Sequence, residues 1–294
     1  MAKTYQTYYV PEQSPWPIVG AIALFLLAFG AGHFVNEVTR NKEGHGEYML
    51  MAGVALLVFM LVGWFRNVID ESMSGLYSAQ MDRSFRQGMS WFIFSEVMFF
   101  AAFFGALFYA RMIAMPWLDG ESNNAMTAEI LWPDFTAHWP MTKTPGGIET
   151  TAMPWQGLPL YNTLILLTSS VTLQFAHVAL EQGKRLQLRL MLLLTVLLGA
   201  SFLGLQAYEY MHAYQDLNLR LDSGIYGNTF FLLTGFHGLH VTGGLIAFLI
   251  VLIRVFRAQK FGHNQATTAI VVSYYWHFVD IVWIALFSAI YLIK

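Results

Sequence analysis

Seven stretches of the chain are almost unbroken runs of apolar residues, and polar residues gather between them. The stretches fall at about 17–34, 48–65, 89–112, 160–183, 188–207, 227–253 and 268–293. A helix needs about 20 mostly apolar residues to cross the hydrocarbon core of a bilayer, and each stretch meets or approaches that length. Only helices and closed barrels can satisfy every backbone polar group in lipid, and runs of this length are helical signals rather than strand signals. The pattern predicts an all-α integral membrane protein with seven transmembrane helices. The remaining long segment, 113–159, is rich in Pro, Gly, Trp and acidic residues and reads as an irregular cap on the outside, too short for a core of its own. No internal repeat is visible, which counts against an inverted-repeat transporter. Residues 1–294 therefore read as a single membrane domain, and the short gap at 66–88 is where the bundle would divide.

Composition agrees. Of the 294 residues 56% are hydrophobic and only 12% are charged, about half the charged fraction of a soluble domain, and the mean hydropathy is +0.49. The first apolar run follows the polar segment YYVPEQSPWP and is too long for a signal-peptide core, so it is expected to be retained. The absence of cysteine excludes disulfides, thiolate metal sites and a redox dithiol. A net charge of −2 gives no support to nucleic-acid binding. An odd number of spans puts the termini on opposite sides. With the amino terminus in the cytoplasm, the inside segments hold Lys3, Arg66, Arg83, Arg86, Lys184, Arg185, Arg189, Arg254, Arg257 and Lys260, which is 10 of the 16 basic residues. Loop Lys and Arg oppose translocation, so the amino terminus is predicted to be cytoplasmic.

The candidate chemistry lies in the ionisable residues inside the spans, since a charged side chain at membrane depth is costly and persists where it finds partners or a task. Glu96 interrupts FIFSEVMFFAAFFG. Counting the helical rise from the apolar edges puts Glu96 about 10 Å, His177 about 9 Å and His277 about 13 Å from the inside, with Asp280 at about 17–18 Å and His240 near 20 Å. This suggests an inner layer of Glu96, His177 and His277, and a central layer of Asp280, His240 and His237. His237 and His240 are three residues apart, as are His277 and Asp280, so each pair shares a helix face. The layers predict interhelical contacts in which the submerged ionisable groups satisfy one another. Glu96 would meet a histidine or hydroxyl of the fourth or seventh helix, and Asp280 would meet the sixth. A strut between helices is the plainer role for Glu96 and a proton route the sharper one. Haem or metal ligation is the sharper reading of the histidines, but His237 and His240 on one helix cannot ligate opposite faces of one haem. Gly235, Gly238, Gly243 and Gly244 fit close helix approach. The basic clusters at the inside edge fit topology, and Arg66 beside Trp64 and Phe65 also fits a phospholipid headgroup.

Seven segments carry a resemblance: SPWP at 14–17, GWFRNVIDE at 63–71, SEVMFFAAFF at 95–104, QFAHVALEQGKR at 174–185, LQAYEY at 205–210, YGNTFFLLTGFHGLHV at 226–241 and YYWHFVDIVWIALF at 274–287. In this order they resemble subunit III of the haem–copper cytochrome c oxidases. The likeness spans nearly the whole chain outside 113–159, and TGFHGLHV and YWHFVD are its most specific signatures. It implies seven helices, the first two splayed from a five-helix bundle by a V-shaped cleft filled with phospholipid. It implies no redox centre in this chain: haem a, haem a3, CuA and CuB would sit in the partner subunits, where electrons from cytochrome c reduce oxygen to water and protons are pumped. The implied roles are stabilising subunit I, supporting its proton uptake and binding phospholipid. The implied partners are subunit I as the main contact, subunit II, a small subunit IV, cytochrome c as donor, and membrane lipids.

Residue by residue, the family's buried third-helix carboxylate matches Glu96, its sixth-helix histidine pair matches His237 and His240, and its seventh-helix His and Asp match His277 and Asp280. Lipid contacts would fall to Trp64, Phe65, Arg66, Arg83 and Arg254. Asp70 stands where the family often has a second arginine, and only His177, followed by Val178, stands where a histidine doublet is common. The lengthened 113–159 segment looks bacterial, which implies a bacterial inner membrane. The nearest alternative is the subunit III of a quinol oxidase, which typically lacks the first two helices. From other classes, a proton-coupled transporter would show a repeat or broken spans, and an independent cytochrome would show a Soret band.

Overall fold

The computed structural model of the chain describes residues 9–10, 12–257 and 263–293; Lys3 and Lys260, two of the residues used for orientation, lie outside them. Among the described residues seven helices are long and apolar enough to cross a membrane, one for each of the seven stretches. They are α1 (Trp16–Arg40), α2 (Gly46–Met73), α3 (Ala79–Tyr109), α6 (Leu158–Glu181), α7 (Arg185–Asp216), α8 (Ile225–Arg257) and α9 (His263–Leu286). The short helices α4 (Met115–Leu118) and α5 (Ala125–Leu131) follow α3, and single π-helical turns prolong α3 over Ala110–Ala114 and α9 over Phe287–Leu292.

Most of these helices outrun the apolar stretches. Hydropathy marks only the part within hydrocarbon, whereas the backbone ladder continues through polar residues with good helix propensity, such as the Arg, Gln, Glu and Lys that flank the spans. α3 begins ten residues before its apolar edge and α7 ends nine residues after its own. Both extensions move polar side chains relative to the depths read from sequence.

The chain separates into two compact units, Met1–Ser84 and Phe85–Lys294, with the boundary inside the 66–88 gap. In the first unit α1 carries Pro17 in its first turn, where a missing backbone N–H costs nothing. α1 ends at Asn41 in a left-handed conformation (φ 50°). The chain returns at once as α2, whose first amide, on Gly46, donates to both carboxylate oxygens of Glu37 at 3.1 and 3.2 Å. An anion at a helix N-terminus meets both the orphan donors and the helix dipole. A hairpin of two helices can bury only a narrow stripe, so large side chains such as Phe25 and Phe59 remain outward, as suits lipid.

In the second unit the core lies among α6, α7, α8 and α9, with α9 the most enclosed. Its fully buried large side chains include Phe202, Tyr226, Phe230, Phe248, Trp276, Trp283 and Tyr291. Association in lipid relies on close packing and interhelical hydrogen bonds, since the tails are as apolar as the side chains. Both are present. Trp276 lies against Gly199 of α7 and Gly244 of α8, where an added Cβ would come within 2.8 Å of its ring. Its indole N–H donates to Ser169 Oγ of α6 at 2.9 Å, and two turns on Trp283 does the same to Thr163 Oγ1, also at 2.9 Å. The 113–159 segment differs from the irregular cap predicted. Part of it is helical, and Phe135, Met141 and Met153 sink into the core cluster. Hydrogen bonds fasten it: the Met153 amide donates to the Tyr226 hydroxyl at 3.2 Å and the Thr151 amide to the Leu217 carbonyl at 2.9 Å.

Candidate functional site

Glu96 and His240 are joined, Oε2 to Nε2, at 2.8 Å. The sixth span supplies this partner, which corrects the expectation of the fourth or seventh. The correction follows from the helix ends: Glu96 is seventeen residues into α3 and His240 seventeen residues before the end of α8. Both therefore sit about 25 Å along their helices from the same side, and the two-layer scheme, measured from apolar edges, had separated them. His240 Nδ1 lies 2.7 Å from the Phe236 carbonyl oxygen. A carbonyl can only accept, so Nδ1 carries a hydrogen, and a single proton completes the bond to Glu96. Phe99 and Phe100 of α3 pack on the His240 ring at 5.8 and 4.9 Å between centroids.

Asp280 meets the fourth span, not the sixth. Trp276, Asp280 and Trp283 share the face of α9 that is turned to α6, and this register sets the partner. The Ser170 hydroxyl donates to Asp280 Oδ2 and stands 2.9 Å from His277 Nδ1. Because the hydroxyl has one proton to give, His277 Nδ1–H donates to it, and a relay His277 to Ser170 to Asp280 links α9 with α6. His177 joins no other site residue by a hydrogen bond; its Nε2 is 3.3 Å from Glu181 one turn along the same helix.

His237 departs most from expectation. It is completely buried, with its ring 4.8 Å from that of Trp283 and edge-on to Phe202 at 5.7 Å. Among the described residues neither of its ring nitrogens has a hydrogen-bond partner, nor has Asp280 Oδ1. The submerged groups therefore do not all satisfy one another. Sequence reasoning also missed Glu209, fully buried on α7, whose Oε1 accepts the Tyr291 hydroxyl at 2.5 Å. The apolar stretch closes at 207, just short of it, yet Gly199, Phe202, Gln206, Glu209 and Ala213 are all buried at three- and four-residue spacing, a signal readable in the sequence.

The lipid candidates divide between the units. In the first, Trp64 and Phe65 stack at 5.5 Å and are about half exposed. Arg66 reaches Asp70 one turn on, at 3.9 Å, and Arg83 is exposed. In the second, Arg254 is partly buried, and one terminal nitrogen has no partner among the described residues. Among the described residues no group of three or more His, Asp or Glu could hold a metal ion.

The comparisons with known proteins bear on the whole chain. A family model described as cytochrome c oxidase subunit III matches residues 6–294. The chain belongs to the cytochrome c oxidase subunit III family. Its relatives include proteins named cytochrome c oxidase subunit 3 from Squalus acanthias, 35% identical over 297 residues, and from Danio rerio, 35% identical over 294 residues. Another, from Papio hamadryas, is 36% identical over 300 residues, and each alignment covers 99% of this chain and 98% of the relative. Membership makes the chain a multi-pass membrane subunit of a proton-pumping terminal oxidase. Of the positions matched to the family residue by residue, Glu96, His240, His277 and Asp280 take part in hydrogen bonds between helices, whereas His237 takes part in none among the described residues.

Proposed function

We propose that the chain is the non-redox subunit III of an aa3-type cytochrome c oxidase in a bacterial inner membrane, with its amino terminus cytoplasmic. In this reading haem a, haem a3, CuA and CuB belong to subunits I and II, cytochrome c is the donor, and a small subunit IV completes the complex. The chain stabilises subunit I, supports its proton uptake, and holds phospholipid through Trp64, Phe65, Arg66, Arg83 and Arg254.

The observation that carries this reading is the use made of the buried polar groups. Glu96 with His240, and His277 with Ser170 and Asp280, are spent on bonds between helices, which suits a subunit whose task is to support a neighbour. Purification of the tagged chain from membranes tests it. Subunits I and II with their haem spectrum are expected to elute with the chain, and the chain separated from them is expected to show no Soret band. Elution without haem–copper subunits, or a Soret band from the separated chain, would overturn the proposal.

A further inference from the structure

The interior of the second unit holds more polar atoms than its own side chains serve. Gln206 and Glu209 lie three residues apart on the buried face of α7, 5% and 0% exposed, so their side chains project toward the same neighbours. Tyr291 takes one oxygen of Glu209. Among the described residues, the other oxygen and both terminal atoms of the Gln206 amide have no hydrogen-bond partner. Tyr226 is close enough to Glu209 to interact with it electrostatically. Its hydroxyl oxygen accepts from the Met153 amide, which leaves its own proton to give. One turn along α7, the Phe202 ring lies edge-on to both His237 and Trp283, and the Phe202 carbonyl accepts from Asn162, whose Oδ1 is also without a partner among the described residues.

The chemistry of this set selects the ligand. An amide offers two donors and an acceptor, a carboxyl oxygen accepts, and a phenol donates. A cation would meet the oxygens and leave the Gln206 N–H groups unmet; an anion would meet the amide and oppose Glu209. A small neutral molecule that both gives and takes hydrogen bonds fits all of them, and buried water typically makes about three bonds to groups of this kind. Lipid cannot replace it, because hydrocarbon satisfies no polar atom.

We propose that the α6–α9 bundle encloses an ordered internal-water site held by Gln206 and the free oxygen of Glu209, with the Tyr226 hydroxyl as a third contact. The site does not depend on the partners or donor named above, so it stands or falls separately from them.

Density for the intact oxidase complex, at a resolution that shows water, is expected to contain a peak within hydrogen-bond distance of both the Gln206 amide and Glu209. Infrared difference spectra supply a second reading. The Glu209 stretch is assigned by its loss in Glu209→Gln, and it is expected to shift when the complex is transferred to heavy water. In Gln206→Leu the peak is expected to vanish and the stretch to move. Gln206→Met, closer in length, serves if the Leu variant fails to assemble. The proposal is overturned if the Gln206 amide is bonded directly to Glu209 with no peak between them. It is equally overturned if the Glu209 stretch is the same in wild type and in whichever Gln206 variant assembles.

Discussion

The bond between Glu96 and His240 allows its role to be separated by two substitutions at one position. With Nδ1–H committed to the Phe236 carbonyl at 2.7 Å, His240 presents Nε2 to Glu96 at 2.8 Å. Glu96→Gln keeps the length of the side chain and can place an amide N–H on Nε2, so it is expected to cost less than about 1 kcal/mol, the net worth of one hydrogen bond. Glu96→Ala leaves Nε2 with nothing to bond in a largely buried position, which costs about 1–3 kcal/mol for the unmet group. At the upper end this is more than a hundredfold in the folding equilibrium, at a factor of ten per 1.4 kcal/mol. Combining Glu96→Ala with His240→Ala should recover part of that loss, with a coupling of about 0.5–3 kcal/mol for residues in direct contact. Titration of the purified complex with a denaturing detergent, following retention of this subunit, measures all four points of the cycle. The reasoning fails if Gln costs as much as Ala, at about 3–5 kcal/mol, since that is the mark of a broken buried ion pair. It fails in a second way if Glu96→Gln assembles normally yet loses most proton-coupled turnover, since a strut has no such effect.

Other perturbations probe different parts of the fold. Tyr291→Phe removes the donor to Glu209 and should lower stability by about 1–3 kcal/mol in the same detergent titration. Gly244→Ala drives a methyl group toward Trp276 and should cost about 1–3 kcal/mol by overpacking. Gly238→Ala, with nothing within 4 Å of the new methyl, should be neutral or favourable by up to about 1 kcal/mol through helix propensity. Equal effects at the two glycines would refute the wedge. Tyr77 lies between α2 and α3, and burial together with its hydrogen bond to Glu71 raises its phenol above the ordinary value. A raised phenol means that the fold favours the neutral form, so its contribution is complete below about pH 10 and is lost as the pH rises through the folded-state value. Alkaline titration of phenolate absorbance should therefore show a late component that is smaller by one tyrosine in Tyr77→Phe.

The spans were legible because the bilayer imposes one demand on every residue of a stretch, and that demand shows in the sequence without any knowledge of neighbours. Glu96, His237, His240, His277 and Asp280 were legible for the same reason, as ionisable groups in apolar surroundings. Their partners were not. Which residue Glu96 meets depends on where α3 and α8 begin and end, and the ten residues of α3 before its apolar edge, six of them polar or charged, shift that register out of reach of hydropathy. Asp280 was assigned to the wrong helix because the rotation of α9 is set by Trp276 and Trp283 wedging against α6, α7 and α8, a tertiary fact. Ser170 went unnoticed because a hydroxyl is cheap in a helix and carries no warning. Glu209 could have been found: LQAYEY was in view, but the span was closed two residues before it.

The hydrogen bonds of α9 bear on the order in which this protein is made. The stretch from Trp276 to Tyr291 supplies the partner of Ser169, of Ser170, of Thr163 and of Glu209, and it is translated after all of them. Until that segment leaves the ribosome and enters the bilayer, Ser170 and the Glu209 carboxyl lack the partners they have in the finished bundle, while Ser169 and Thr163 keep only the bonds they give to Leu166 and Pro159 of their own helix. Assembly of this bundle thus has a natural checkpoint at its carboxyl end, where a nascent chain that stalls early is marked by its own unmet polar groups.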